Sequence, residues 1–443
     1  MQTTTGFPYF EVQFNKEGGI HDDTEVKLLL DFMNEGTVTD LFVISHGWNN
    51  NLEDARKLYK AFFGQVRAEI DSSRLPKLQQ RNFAVLGILW PSMKFEDAAL
   101  IASGAASIGA TQPGDELRQQ LDLFKGAFDN PEADILLDRA AALSIRVETD
   151  QPAAIEFVDI IRSLPTKKEI HPDDRSDEFF ALTGNQLIDI LSRPDIPVPV
   201  QPGQGGAADF DASVTIPDTG GAAGFDFFGG VKSALRKVLN FTTYYQMKER
   251  AGTVGRNGAY TVLSRLRERH QDLKVHLIGH SFGGRLVTAL ADGPEGMKPI
   301  IPATLTLLQA AFSHNGFAQK FDETRDGFFR KVVTEKKVSG PILITHSIKD
   351  VAVGMAYPIA SKLSGSDAAT FGDRNDRFGG IGRNGARFTP EAIDTVPLGP
   401  VTTTYTFELG KLYNLNADTI ILEHSDIIKG EIAHALLSAV AST

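Results

Sequence analysis

The stretch from Val275 to Leu290, VHLIGHSFGGRLVTAL, constrains this chain most: an apolar strand pattern runs straight into Gly279-His280-Ser281-Phe282-Gly283 and out into an apolar-periodic helix. The pattern predicts a nucleophile elbow, a sharp strand-to-helix turn that strains the serine at its apex and lifts it into solvent. Glycines flank Ser281 because a Cβ there would collide with the neighbouring strand and helix. The same turn aims the backbone N–H of Phe282, at the N-terminus of the new helix, toward an oxyanion formed on any group that Ser281 attacks. The pentapeptide alone arises readily by chance, so the specificity lies in its flanks. Val275-His276-Leu277-Ile278 precedes it, and Leu286, Val287, Ala289 and Leu290 follow at helical spacing.

The 443 residues exceed one small domain, which predicts either one large α/β unit with insertions or two domains. An apolar content of 42% suits a globular protein with a sizeable core. A formal charge of −11 without a concentrated basic block argues against a nucleic-acid surface and disfavours acidic partners. With no cysteine there is neither a disulfide framework nor a thiolate metal site. The opening MQTTTGFPYFEVQFN lacks a basic region followed by an apolar run, and no stretch of about 18 apolar residues occurs. The expectation is a cytoplasmic protein.

Short apolar runs alternate with amphipathic helices, the pattern of a doubly wound, mostly parallel sheet covered on both faces. Strands are predicted at Tyr9 to Phe14, Asp40 to Ser45, Phe83 to Trp90, Lys274 to Ile278, Thr304 to Leu308, Ile342 to His346 and Thr419 to Leu422. Helices are predicted at Asn51 to Ser72, Gly258 to His270, Phe282 to Ala291 and Ile427 to Val440. The domain reading is a core formed by residues 1–92 and 241–443, with a helical cap inserted at 93–240. Inside the insertion, Gln201 to Gly230 has the Gly, Ala, Asp and Pro content of a mobile lid loop. Gly365 to Pro400, with Gly379-Gly380-Ile381-Gly382-Arg383-Asn384-Gly385, reads as a flexible excursion rather than a phosphate cradle, since it neither follows a strand nor opens a helix.

A serine nucleophile needs a base, an orienting acid and a second oxyanion donor. In a sheet of this kind those groups lie at the carboxyl ends of strands, in the chain order Ser, acid, His. Asp350 follows the strand Ile342 to His346, with a turn or helix-cap aspartate as its alternative reading. His424 follows the last predicted strand and is preferred as base over His434, which sits in an amphipathic helix. Asp426 is too near His424 in sequence to orient it and suits a cap of the last helix. The second donor is expected from His46-Gly47-Trp48-Asn49-Asn50, after the strand at Asp40 to Ser45, through the N–H of Trp48. His46 is read as a brace of that loop, and the side chains of Trp48 and Trp90 as possible core aromatics.

These segments together resemble the α/β-hydrolase superfamily: HGWNN at 46–50, Trp90-Pro91-Ser92 at a strand end, GHSFGG at 279–284, Asp350 and His424. More narrowly, the HGWNN, WPS and HSFGGRL set resembles a group of bacterial α/β hydrolases of unassigned function. The likeness covers residues 1–92 and 241–443 and leaves the insertion uncovered. It implies Ser281 as nucleophile, His424 as base, Asp350 as its partner and the amides of Trp48 and Phe282 as oxyanion donors. The implied activity is a serine hydrolase acting on carboxylic esters with neither cofactor nor metal; the superfamily also contains members that have lost catalysis and serve as binding scaffolds.

Substrate choice is expected to come from the insertion. Its end, residues 225–239, joins an aromatic run to a short basic helix carrying Lys232, Arg236 and Lys237. A lid meeting a lipid surface, as in a lipase or phospholipase, is one reading, and a cap helix with its charges in water is the other. Tyr244, Tyr245 and His314 are candidate pocket residues, with aromatic packing as the alternative for the two tyrosines and reserve base as a second role for His314. The loop-like Arg250 to Gly255 is a further candidate to approach the site.

Overall fold

Strands buried on both faces must be continuous apolar runs, and Asp40–Ser45, Phe83–Leu89 and Thr304–Leu308 are buried along their whole length. The computed structural model describes residues 2–48, 50–92, 115–166, 176–192, 230–350, 353 and 379–443. They fall into two compact units, one built from Met1–Ser92, Arg250–Val353 and Gly379–Thr443, the other from described residues of Met93–Glu249.

The first unit is mixed α/β around a mostly parallel sheet. Its strands are β1 (Gln2–Thr4), β2 (Phe7–Gln13), β3 (Asp40–Ser45), β4 (Phe83–Leu89), β5 (Lys274–His280), β6 (Thr304–Leu308), β7 (Ile342–His346), β8 (Ala392–Pro397) and β9 (Leu412–Asn416). The nine run in the order β1-β2-β4-β3-β5-β6-β7-β9-β8, and only the β1–β2 pair is antiparallel. The chain leaves β3 toward β4 on one side and leaves β5 toward β6 on the other, so β3 and β5 flank a topological switch point. A crevice opens outside the carboxyl ends of strands at such a point. Ser45 of β3 is in register with Gly279 of β5, which brings the segments beginning at His46 and Ser281 out of the sheet side by side.

Helices cover the sheet where the apolar period is 3.6. Leu52–Asp71 opens with a capping box, in which the Asn51 side chain accepts from the Asp54 N–H and Asp54 accepts from the Asn51 N–H. The C-terminal helix Gly430–Ala441 packs with it in one apolar cluster that includes Tyr59, Phe62, Phe63, Ile432 and Leu436. A buried polar tie crosses that cluster. His434 Nδ1 lies 2.8 Å from Glu69 Oε1, its Nε2 donates to Thr403 O at 2.7 Å, and Glu69 also pairs with Arg74. Burial raises the Glu69 pKa, but the bonds from Arg74 and His434 outweigh it and hold the carboxyl below its ordinary value. His434 is thus a helix-packing residue, as its place in an amphipathic helix suggests.

Several elements differ from the sequence reading. Thr419–Leu422 is a turn, with Ile421 N–H bonded to Ala417 O and its side chain buried. The strand beside β7 is instead β9, whose two asparagines weaken its apolar pattern. The helix Val231–Thr253 and a π-helical turn at Val254–Ala259 replace the expected loop at Arg250 to Gly255. That helix runs through the expected boundary at residue 240, and the two compact units divide within it, after Glu249. Within the expected excursion at 365–400, Gly380 caps the short helix Ile381–Asn384 and Ala392–Pro397 forms edge strand β8, while 365–378 lie outside the described residues. Asp426 accepts from Leu422 N–H and pairs with Lys429 rather than capping the last helix. Strand β1 and the helix Asp23–Met33 had no counterpart in the sequence reading.

The described residues of the second unit are helical: Asp115–Leu123, Ala133–Leu143, Gln151–Ser163, Ser176–Ala181, Gly184–Leu191 and most of Val231–Thr253. Tyr245 meets Phe180 edge-on at 4.9 Å, and Tyr244 stacks against Phe241 at 6.4 Å. The lid stretch 201–230, apart from Gly230, and the aromatic run 225–229 lie outside the described residues. Among the described residues no helix is long and apolar enough to cross a membrane.

Removing one partner of a buried hydrogen bond leaves the other unsatisfied at a cost of about 1 to 3 kcal/mol. Glu69→Ala, which strands the buried His434 Nδ1, is expected to lower the unfolding free energy by about 2 kcal/mol in urea titrations. A loss below about 0.5 kcal/mol would show that the tie contributes nothing.

Candidate active site

Ser281 sits between the end of β5 and the helix Phe282–Asp292 with φ 55° and ψ −125°, a left-handed backbone that costs a non-glycine residue about 1 to 2 kcal/mol. The strain is held from both sides. Ser281 N–H donates to Leu308 O at 3.1 Å, and its carbonyl accepts from Gly284 N–H at 2.9 Å and Ala311 N–H at 3.0 Å. Close approach of bare backbone makes the turn possible: a Cβ on Gly283 would lie 2.1 Å from Ser45 O. A Cβ on Gly47 would lie 2.6 Å from Ser281 Cβ, so the segment after β3 rests directly against the serine. Ser281 is therefore 7% exposed, buried rather than lifted into solvent as the motif predicts.

The segment after β3 is braced by His46. Its N–H donates to Tyr59 Oη at 2.9 Å, and its carbonyl accepts from Trp90 Nε1–H at 3.0 Å. The imidazole Nδ1–H donates to Gly47 O at 2.9 Å, and Nε2 accepts from Trp90 N–H at 3.4 Å. The ring stacks on the Trp90 indole at 5.6 Å. Ser92 Oγ, 3.3 Å from His46 Nδ1, donates to Asn50 O at 2.9 Å, and Arg250 Nη1–H donates to Pro91 O at 3.0 Å. The HGWNN and WPS segments thus form one support. Beyond it, the half-buried Trp48 lies beside Phe282, ring centres 6.0 Å apart, which brings together the residues of both expected oxyanion donors.

Asp350 and His424 come from the ends of neighbouring parallel strands, β7 and β9. His424 Nδ1–H donates to Asp350 Oδ2 at 2.8 Å. Asp350 is fully buried and accepts two further bonds, from Gln309 Nε2–H to Oδ2 at 3.0 Å and from Val353 N–H to Oδ1 at 3.0 Å. A carboxylate on Nδ1 fixes the tautomer that leaves Nε2 as a proton acceptor. His280, immediately before Ser281, touches the same histidine: its Nε2–H donates to His424 O at 3.0 Å and the rings lie 4.9 Å apart. Among the described residues no hydrogen bond joins Ser281 Oγ to His424.

His314 is fully buried in the loop after β6, where its N–H donates to Gly379 O at 2.7 Å and its Nδ1 meets Asn384 Nδ2 at 3.1 Å. Tyr244 and Tyr245 belong to the second unit. Sequence reasoning passed over Gln309 and Tyr59. The signal for Gln309 was a lone glutamine directly after the apolar strand TLTLL. Among the described residues no cluster of His, Asp and Glu suits a metal ion.

Burial holds His46 at a pKa of about 4 and, with the charge of His424 as a second cause, His280 at about 3. Between pH 6.5 and 4 the unfolded chain binds a proton that folded His46 does not, so stability falls as the pH drops through that window. Urea unfolding followed over this range is expected to weaken more steeply in the wild type than in His46→Gln, by on the order of 3 kcal/mol at the acid end. Parallel slopes would mean that His46 titrates normally.

No protein-family model matches this chain, nor does any curated protein or solved structure.

Proposed function

We propose that this protein is a serine hydrolase that cleaves carboxylic esters through an acyl-enzyme, on a sheet arranged as in the α/β-hydrolase superfamily, with a helical unit inserted in the chain between β4 and β5. One observation carries the reading. The strained Ser281 elbow and the Asp350–His424 pair leave the same carboxyl edge, with His280 joining them by its bond to His424 O at 3.0 Å.

In this reading His424 Nε2 takes the Ser281 proton as Oγ attacks the ester carbonyl. Asp350 holds the imidazole by Nδ1 and offsets the charge of the imidazolium, remaining ionised itself. The N–H groups of Trp48 and Phe282 receive the oxyanion, each such donor contributing about 3 kcal/mol to transition-state stabilisation. His424 then gives the proton to the departing alcohol, and water repeats the sequence on the acyl-enzyme.

A fluorophosphonate probe followed by peptide mapping is expected to label Ser281 alone, and Ser281→Ala should abolish both labelling and turnover while preserving the unfolding curve. A folded wild-type protein that the probe leaves untouched would overturn the proposal. Gly47→Ala tests the backbone approach: the new methyl pushes the Trp48 amide off the serine, and labelling should slow by about 100-fold or more. Wild-type labelling in that variant would remove Trp48 from the oxyanion site.

A further inference from the structure

The turn after β6 grips two parts of the proposed site at once. In the register of the sheet His280 lies beside Leu308, so Ser281 and Gln309 leave it as neighbours. The main chain of the turn holds the nucleophile, through Leu308 O and Ala311 N–H on the Ser281 backbone at 3.1 and 3.0 Å. The side chain of Gln309 reaches toward the acid. Its Nε2 donates to Asp350 Oδ2 at 3.0 Å and to Gly382 O at 2.9 Å, and its Oε1 accepts from Thr345 Oγ1 at 2.9 Å.

Chemistry fixes the orientation of that amide. The Gly382 carbonyl can only accept, so the nitrogen must face it, and the second hydrogen is left for Asp350. Thr345 Oγ1 accepts the Gln309 backbone N–H at 3.1 Å, and its hydroxyl hydrogen goes to Gln309 Oε1 at 2.9 Å, nearer than the other acceptor in reach, Leu307 O at 3.4 Å. Gln309 is fully buried and sits at φ 45°, a backbone for which glycine is the ordinary residue. Glycine would lack all the side-chain bonds.

We infer that Gln309 is a positioning residue of the proposed reaction: by occupying one side of Asp350 Oδ2 it directs the other toward His424 Nδ1, and through its own turn it fixes that carboxylate relative to Ser281. The inference rests on the reading of Ser281, His424 and Asp350 as nucleophile, base and acid. A carboxylate oxygen accepts along two lone-pair directions, and a rigid donor on one leaves a single direction for the imidazole.

The test is the rate of fluorophosphonate labelling at Ser281 as a function of pH, in wild type, Gln309→Met, Gln309→Glu and Thr345→Val, each checked for a cooperative unfolding transition. Gln309→Met keeps the length and removes the donor, so labelling should slow roughly 10- to 100-fold. Gln309→Glu places a second carboxylate against Asp350, whose added charge favours the imidazolium, so the pH at which labelling switches on should move upward. A residue that only supports the fold would shift neither the rate nor that pH. If Gln309→Met fails to fold, Thr345→Val carries the test, because it removes the hydroxyl that holds Gln309 by both its side-chain amide and its backbone N–H, and a loss of about threefold or more is expected. Folded variants that label within about twofold of wild type, with the pH midpoint unmoved, would overturn the inference. Absence of labelling in the folded wild type would instead overturn the triad reading, and this inference with it.

Discussion

Two backbones meeting with no side chain between them set the rest of the carboxyl edge. The segment after β3 and the elbow after β5 interlock from both directions, Gly283 against Ser45 O and Gly47 against Ser281 Cβ. Each contact sits next to a residue whose amide we propose as an oxyanion donor. Gly47 precedes Trp48 and Gly283 follows Phe282, so the approach that excludes a Cβ also sets the spacing of the two amides. An amide fixed by backbone packing needs no reorganisation as charge develops, which is where such donors gain most of their effect.

A backbone contact that close must be held from behind, and here the holder is polar. His46 makes bonds through its N–H, its carbonyl and both ring nitrogens, to Tyr59, Trp90 and Gly47. Burial keeps the ring neutral, and only a neutral imidazole can donate at Nδ1 and accept at Nε2 together. A hydrophobic residue of the same volume would leave the Trp90 N–H buried without its ring partner, at about 1 to 3 kcal/mol, and Gly47 O with only the Asn50 amide at 3.3 Å. Ser92 and Pro91 extend the support to the far side of the loop, which gives the WPS segment a structural reason to accompany HGWNN.

What could be read from sequence follows from where the signals are local. The strands at Asp40–Ser45, Thr304–Leu308 and Ile342–His346 were legible because both of their faces are apolar, and the elbow because strand, glycines and helix are contiguous. The strand bearing the base was not, since LYNLN has two asparagines whereas TIIL nearby is β-branched. Ile420 and Ile421 nonetheless turn back on Ala417, and Ile421 packs in the cluster that holds Tyr59 and Leu436, a tertiary choice that propensity cannot express. The reading of His424 as base rests on its following the strand predicted at Thr419 to Leu422; it follows β9 instead, eight residues on, with its Nδ1 2.8 Å from Asp350 Oδ2. Gln309 stands out only by its place directly after TLTLL, and what it bonds was not legible for another reason. Its bonds run to residues 345, 350 and 382, and no local pattern encodes a polar group whose partners are all distant.

The sheet carries a second Asp–His pair of the same length at its other edge, and the contrast argues for the assignment. His276 Nε2 lies 2.8 Å from Asp40 Oδ1, as His424 Nδ1 does from Asp350. Asp40 begins β3 and Thr304 begins β6, so the His276 pair belongs to the amino edge. There His276 Nδ1 meets Thr304 Oγ1 at 2.9 Å and Arg81 closes on Asp40 at 2.7 Å, so both ring nitrogens are committed. Burial lowers the His276 pKa, and neither ring nitrogen is left facing a group outside the sheet. For His424, no described residue bonds Nε2. Direction completes the difference. In a parallel sheet crossed by helices, the following helix starts at the carboxyl edge, as Phe282–Asp292 does directly after Ser281, and presents its positive end there. An Asp–His pair at the amino edge is therefore a strut, while the same pair at the carboxyl edge stands where the reaction we propose develops its negative charge.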